Sequence, residues 1–341
     1  MNGTQRFEQI IKNAATIVIV PHHNPDGDAI GSSLGLCLTL VAMGKKAQVV
    51  VPNEIPGTLK WIPGTDSVID FEKNPEAVNT YFQSAELLIM VDFNTPKRVK
   101  GLGVLLESFK GLKVMIDHHP EPDNSAAHLV ISDISVSSTC ELVYRVLQEN
   151  SFIEFLTLDA ATCLYTGIIT DTGALSHNSS RPQTYHVVAD LMSKEIPKEW
   201  IHQMIFHSNS LDRMRLLGYS LCEKMVILPH LRAAYIALTA GELERFHFQP
   251  GETEGLVNYP LSIEGIDVSA FFMERDGKVK VSFRSRGNIA VNKLSEANFN
   301  GGGHHNAAGG ESGDSMQRVI DQFVTALPDY IYHLKDTDTK H

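Results

Sequence analysis

Four short stretches place carboxylates and imidazoles directly after apolar runs. Val114-Met115-Ile116 leads into Asp117-His118-His119, and Ile17 to Val20 leads into Pro21-His22-His23-Asn24-Pro25-Asp26-Gly27-Asp28. Leu87 to Val91 leads into Asp92, and the apolar stretch Leu164 to Thr170 leads into Asp171-Thr172-Gly173. Carboxylate and imidazole are the ligands that hard and borderline divalent cations prefer. Asp26, Asp28, Asp92 and Asp171, with His22 and His118, suit two cations about 3.5–4 Å apart on a shared carboxylate, a pair able to activate a water and hold a phosphoryl oxygen. So many carboxylates in one cleft repel one another unless cations offset them. Singly, each residue has a plainer reading. An Asp after a strand caps a helix or opens a turn, Asp28 included, and a lone His is usually structural. The joint pattern points to a metal centre.

Such a centre needs elements that bring distant segments to one edge. Ile17–Val20, Ala47–Val51, Glu86–Val91, Lys113–Ile116 and Leu129–Ile131 read as short, nearly all-apolar strands, the pattern of a parallel sheet covered on both faces. Helical spacing alternates with them: Asp28–Met43 closed by Gly44, then Cys140–Gln148 and Leu158–Ile169. The expected fold is therefore α/β, a mainly parallel N-terminal sheet with helices on both faces. In such sheets the strand C-termini share one edge, where ligands bind. Three of the four segments can converge there, and a helix end can bring Asp171 to them.

From about residue 184 the pattern is helical, including Lys198–Phe206 and Leu211–Leu221. Strand-like runs follow at 226–228, 234–238, 268–273 and 279–283, with Asp276-Gly277 as a hairpin turn, and a helix spans about Met316–Leu327 with a further turn over 329–334. We expect a catalytic domain over 1–185, a helical linker over 186–225, a smaller α+β domain over 226–337, and a frayed tail from Lys335.

The net charge of −11 argues against a broad grip on long nucleic acid. Cys37, Cys140, Cys163 and Cys222 are scattered, without zinc-knuckle or disulfide-framework spacing, which fits a reduced cytoplasm. No apolar run reaches the roughly 18 residues of a membrane span, and residues 1–16 lack the apolar segment of a signal peptide.

With these residues assembled, the chain resembles the DHH phosphoesterase superfamily, and within it the DHH/DHHA1 proteins of the nanoRNase and 3′-phosphoadenosine 5′-phosphate (pAp) phosphatase type. His22-x-x-Pro25-Asp26-x-Asp28-Ala29 is similar to the first family motif, Asp92 to the second, Asp117-His118-His119 to the third and Asp171-Thr172-Gly173 to the fourth. Gly301-Gly302-Gly303-His304-His305-Asn306-Ala307-Ala308-Gly309 is similar to the signature of the DHHA1 domain. The resemblance implies two Mn²⁺ ions per chain, with Mg²⁺ or Co²⁺ as substitutes. By that analogy His22, Asp26 and Asp92 hold one ion, and Asp28, Asp92, His118 and Asp171 hold the other. His119 would then lie near the substrate phosphate, with Asp117 orienting the histidines and His23 a spectator.

The resemblance also implies that the C-terminal domain recognises the substrate. Gly301, Gly302 and Gly303 offer unobstructed backbone N–H groups for an anion-binding turn, with donors from His304 and His305. Arg284 can chelate a phosphate bidentately; the resemblance adds Ser285. Ser137-Ser138-Thr139 could cap the following helix or orient phosphate, and Asn94 and Arg98 are weaker phosphate candidates. The expected reaction is hydrolysis of short nucleotides: mononucleotide release from very short RNA, or 3′-phosphate removal from pAp. Rival readings are a cyclic-di-AMP or pApA phosphodiesterase and a non-catalytic nucleotide-sensing regulator. The oligomeric state, a homodimer included, stays open.

Overall fold

The computed structural model describes residues 3–331, so the expected end of the second domain at 337, the tail and the last part of the turn over 329–334 lie outside the described residues. The chain divides into two compact units, one ending at Ser208 and one beginning at Asn209.

The first unit opens with α1 (Gly3–Asn13), β1 (Thr16–Val20), α2 (Gly27–Ala42) and β2 (Lys46–Val51). Next come β3 (Ile69–Asp70), α3 (Pro75–Ser84), β4 (Leu87–Val91), α4 (Gly103–Ser108), β5 (Leu112–Asp117) and β6 (Leu129–Ser132). Helices α5 (Thr139–Glu149), α6 (Leu158–Asp171), α7 (Pro182–Met192) and α8 (Lys198–Phe206) complete it. Among the described residues its sheet has the order β3-β2-β1-β4-β5-β6, and every neighbouring pair is parallel. The order reverses between β1 and β4, so a crevice opens at their C-terminal ends.

Strand alternation divides the core between the two faces. Ile17 and Ile19 of β1 pack with Ile30, Leu34, Cys140 and Leu164 of α2, α5 and α6. Val18 and Val20 pack with Val78, Phe82 and Leu106 of α3 and α4. Helices α2, α5 and α6 approach one another unusually closely. A Cβ on Gly31 would lie 2.6 Å from the Cys163 carbonyl oxygen, and one on Gly167 would lie 2.2 Å from Cys140 Sγ and 2.9 Å from Asp28 Oδ1. Only glycine fits there. Helix α2 starts where the Asp26 carboxylate accepts from the amides of Asp28 and Ala29 at 3.1 and 3.0 Å.

The helical stretch expected as a linker is shared between the units. Helices α7 and α8 belong to the first, where Val187, Leu191 and Ile201 bury their apolar faces in its core. Helix α9 (Leu211–Tyr219) begins the second, followed by β7 (Met225–Leu228), β8 (Ala233–Leu238) and α10 (Ala240–Arg245). Then come β9 (Val268–Arg275), β10 (Lys278–Ser285), α11 (Val291–Asn298), β11 (Gly302–His304), β12 (Ala307–Ser312), α12 (Met316–Ala326) and α13 (Pro328–Ile331). Among the described residues these strands form a mixed sheet, β11-β12-β10-β9-β8-β7, antiparallel except between β8 and β9. Phe272, Phe283, Phe299 and Phe323 cluster in its core.

Gly302 and Gly303, read from sequence as part of an open turn, are strand residues. Gly302 pairs with Gly309 and Gly303 with Ala308. At two of the three glycines the lack of a side chain serves packing: a Cβ on Gly301 would lie 2.0 Å from the Gly309 carbonyl oxygen and 2.2 Å from Ser295 Oγ, and one on Gly303 would lie 2.5 Å from the Ala307 carbonyl oxygen. The turn falls one step later, at His305-Asn306.

Candidate metal centre

The acidic segments meet at the crevice of the first unit. His22 follows β1, Asp92 follows β4, Asp117 ends β5, Asp28 lies in the first turn of α2, and Asp171 is the last residue of α6. The two oxygens of Asp92 look in different directions. Oδ2 lies 3.4 Å from His22 Nε2, and Oδ1 lies 3.7 Å from His118 Nε2. Asp26 Oδ2 is 3.8 Å from His22 Nε2 on one side. On the other, Asp28 Oδ2 and Asp171 Oδ2 are 3.9 and 3.8 Å from His118 Nε2. His22–Asp26–Asp92 and Asp28–Asp92–His118 each bring one ligand atom per residue within 4.8 Å of one another, as does Asp92–Asp117–His119. Asp92 is common to all three sets. Its backbone is left-handed, φ 63°, a conformation that Asp tolerates better than most residues and that concentrates at functional sites.

Burial governs the electrostatics. Asp28 and Asp92 are each 2 % exposed, whereas the Asp26 side chain is 55 % exposed. Burial, then the charges of Asp92, Asp171 and Asp26, hold the Asp28 carboxyl well above its ordinary range. Burial also acts to raise Asp92, but a hydrogen bond from His22 and the neighbouring histidines overcome it and push it down. For His22, burial is outweighed by the hydrogen bond to Asp92 and by the Asp26 and Asp92 charges, so the imidazole is raised. Asp117, buried and near Asp92, is raised to about 6, and its Oδ2 has no hydrogen-bond partner. Clustered carboxylates with an orphaned oxygen, facing imidazole nitrogens, are a donor set that fits hard or borderline divalent cations. His22 Nδ1 lies 2.9 Å from the His23 carbonyl oxygen, a bond that puts the proton on Nδ1 and leaves Nε2 for the centre.

His119 is held from both ends. Its Nε2 lies 2.9 Å from Arg98 Nη1, and its Nδ1 lies 2.7 Å from Asp117 Oδ1. Arginine only donates, so Nε2 accepts and Nδ1–H donates to Asp117. Burial lowers His119 to about 3, against the Asp92 charge and with help from Arg98, so the ring is neutral near pH 7. The sequence placed Arg98 only among weaker phosphate groups; its spacing from Asp92 carried no sign of this bond. Thr139 was equally illegible as a partner of Asp92. It donates from Oγ1 to Asp92 Oδ1 at 2.8 Å.

The residues expected to bind substrate lie in the second unit. Arg284 Nη1 donates to the Phe283 carbonyl oxygen at 3.0 Å. Ser285 is buried, and its hydroxyl donates to the Ile289 carbonyl oxygen at 2.6 Å while accepting from Asn306 Nδ2 at 2.9 Å. Ser285 therefore braces the 285–289 turn. His304 ends β11, and the His305 carbonyl accepts from the Val291 amide at 2.9 Å.

Known proteins share this architecture. Residues 16–168 match the DHH family, N-terminal domain, and residues 233–332 match the DHHA1 domain. The bifunctional oligoribonuclease and PAP phosphatase NrnA of Thermus thermophilus is 32% identical over 295 residues, 86% of this chain and 83% of that protein. The protein of the same name from Bacillus subtilis is 27% identical over 319 residues, 92% and 96% of the two chains. An exopolyphosphatase-related protein from Bacteroides fragilis, known as a crystal structure, superposes with a TM-score of 0.91 at 37% identity, covering 96% of each chain. The chain belongs to the DHH/DHHA1 phosphoesterase family. Among the described residues no helix is long and apolar enough to cross a membrane.

Proposed function

We propose that this chain is a metal-dependent phosphoesterase that degrades short oligoribonucleotides to mononucleotides and removes the 3′-phosphate of pAp. The observation that carries the reading is Asp92, whose two oxygens face His22 and His118 separately, within a family whose relatives are named for these two activities. Two divalent cations, Mn²⁺ in this proposal, would be held by His22, Asp26 and Asp92 and by Asp28, Asp92, His118 and Asp171, and would supply an activated water and charge neutralisation for a phosphoryl group.

The chain's own groups do the rest. Asp117 fixes the His119 tautomer, and Arg98 supplies a permanent positive charge beside His119. A fixed charge near a developing phosphoryl anion favours the transition state more than the ground state. Arg284, His304 at the end of β11 and His305 in the turn after it bind the non-reacting phosphate, with Gly301, Gly302 and Gly303 setting the hairpin that carries the two histidines and Ser285 bracing the neighbouring turn.

The test is a rate comparison on metal-loaded protein with pAp, a diribonucleotide, a 24-mer RNA, cyclic di-AMP and pyrophosphate. The two short substrates should turn over fastest and the 24-mer slowest. Fastest turnover of cyclic di-AMP would replace this reading with the cyclic-dinucleotide one. Metal binding without turnover of any substrate would replace it with a nucleotide-sensing role.

A further inference from the structure

The amino end of α5 sits against the centre without supplying a ligand to it. The backbone amides of Thr139 and Cys140 donate to the two oxygens of Asp28, at 2.7 Å to Oδ2 and 2.9 Å to Oδ1. The Thr139 hydroxyl donates to Asp92 Oδ1 at 2.8 Å. One turn of helix thus touches two of the buried carboxylates, Asp28 and Asp92. Thr139 and Cys140 are fully buried themselves, so no water competes for these bonds.

We infer that Thr139 is a positioning residue for the metal centre, setting the rotation of the Asp92 carboxylate so that one oxygen serves each side. The inference rests on the metal-centre reading above. A carboxylate turns about its Cβ–Cγ bond through a broad, shallow profile, and Asp92 must present Oδ1 to His118 and Oδ2 to His22 together. A hydroxyl bonded to Oδ1 alone breaks the equivalence of the two oxygens. Each carboxylate oxygen has a second lone-pair direction, so this bond leaves Oδ1 open to a cation.

Thr139 is fixed from behind. The Ser138 hydroxyl caps α5 by accepting from the Glu141 amide at 3.1 Å. The buried Glu141 Oε2 accepts from the Ser137 amide and hydroxyl at 3.0 and 2.6 Å, and from Thr184 Oγ1 of α7 at 2.8 Å. The 137–139 segment is thereby tied to a neighbouring helix before any cation arrives. Outer groups of this kind typically alter metal affinity by about 10- to 100-fold when removed.

The experiment is a Mn²⁺ titration of the chelator-stripped full chain, following the free-ion electron paramagnetic resonance signal. Thr139→Val keeps the shape and removes the hydroxyl, and should weaken binding at the tighter site by about 10- to 100-fold. Thr139→Ser should bind within about threefold of wild type. Thr139→Ala gives the same comparison if the valine variant fails to fold, as judged by circular dichroism. Valine and alanine variants that bind like wild type, even with a lower melting temperature, would reduce Thr139 to a packing residue and overturn the inference. So would a serine variant as weak as valine. A wild type that binds Mn²⁺ but turns over no nucleotide defeats the proposed function, and the Thr139 comparison still decides this one. A wild type that binds no Mn²⁺ overturns both.

Discussion

The Arg98 guanidinium lies 2.9 Å from His119 Nε2, so the second histidine of the Asp-His-His triplet has a permanent cation beside it. Arg98→Met removes that cation and leaves Nε2 without its donor. It should lower kcat/KM by about 10- to 100-fold while Mn²⁺ affinity stays near wild type. Steady-state kinetics at saturating Mn²⁺ beside a metal titration decide it; equal losses in both would make Arg98 part of the metal centre instead.

Chelation should be read in stability as well as rate. Asp28 is held well above its ordinary range by burial and neighbouring carboxylates, and a cation relieves that repulsion. At a free concentration about 100 times Kd, binding contributes about 2.7 kcal/mol, which for a unit of this size is about 5–10 °C in melting temperature. Asp92→Asn, which tolerates the left-handed backbone at this position, should lose the shift and the activity together. Calorimetry with and without EDTA measures it, and a variant that still gains the full shift would remove Asp92 from the shared position.

Gly167→Ala places a methyl 2.2 Å from Cys140 Sγ and 2.9 Å from Asp28 Oδ1. Helix α6 must draw away from α2 and α5, or the Cys140 and Asp28 side chains must turn. Overpacking of this kind costs about 1–3 kcal/mol, and weaker Mn²⁺ binding should accompany the lower melting temperature. Loss of stability with unchanged metal affinity would show that the close approach serves packing alone.

Arg284 and Ser285 are adjacent and should separate kinetically. Arg284→Gln removes the guanidinium proposed to hold a phosphate, so KM for pAp should rise by about tenfold with kcat nearly kept. Ser285→Ala breaks the bond to Ile289 and should lower the melting temperature more than it changes KM. Indistinguishable kinetics for the two variants would count against this division.

Glu242 gives a pH-dependent expectation in the second unit. Against burial, which raises it, Lys224, the Thr239 amide and hydroxyl and the Tyr219 hydroxyl hold it at about 2. A carboxyl depressed below its unfolded value contributes stability that is present above about 4.5 and lost as pH falls toward 2. Glu242→Gln should therefore be less stable by about 1 kcal/mol at pH 7, with the gap closing between pH 4.5 and pH 2. Thermal melts of the full chain across that range test it; a constant gap would assign the loss to geometry rather than charge.

The α/β class, the parallel strands and the convergence of His22, Asp92 and Asp117 were legible because buried strands are short apolar runs whose C-terminal ends must share an edge. Helix α6 delivering Asp171 was legible for a similar reason, as an apolar stretch of helical length. Strand β3 was not, because two residues at an edge carry no periodicity. The β11–β12 hairpin was hidden because glycine has no side chain to alternate, so Gly302 and Gly303 read as a loop when they are a strand. Arg98 and Thr139 were hidden for another reason: their partners are distant in sequence, and only the folded chain brings them within hydrogen-bonding distance.

Asp171 is the final residue of α6, and that address is the wrong one for an anion. Peptide dipoles give a helix about half a negative charge at its carboxyl end, where an added carboxylate costs roughly 0.3–1 kcal/mol. Asp26 and Asp28, at the amino end of α2, enjoy the opposite sign. The two helix ends therefore polarise the crevice before it binds anything, favouring negative charge on the α2 side and opposing it on the α6 side. A cation there would offset the helix dipole as well as the Asp171 charge, and a neutral residue at 171 should make the empty protein sturdier while leaving it less able to hold that cation.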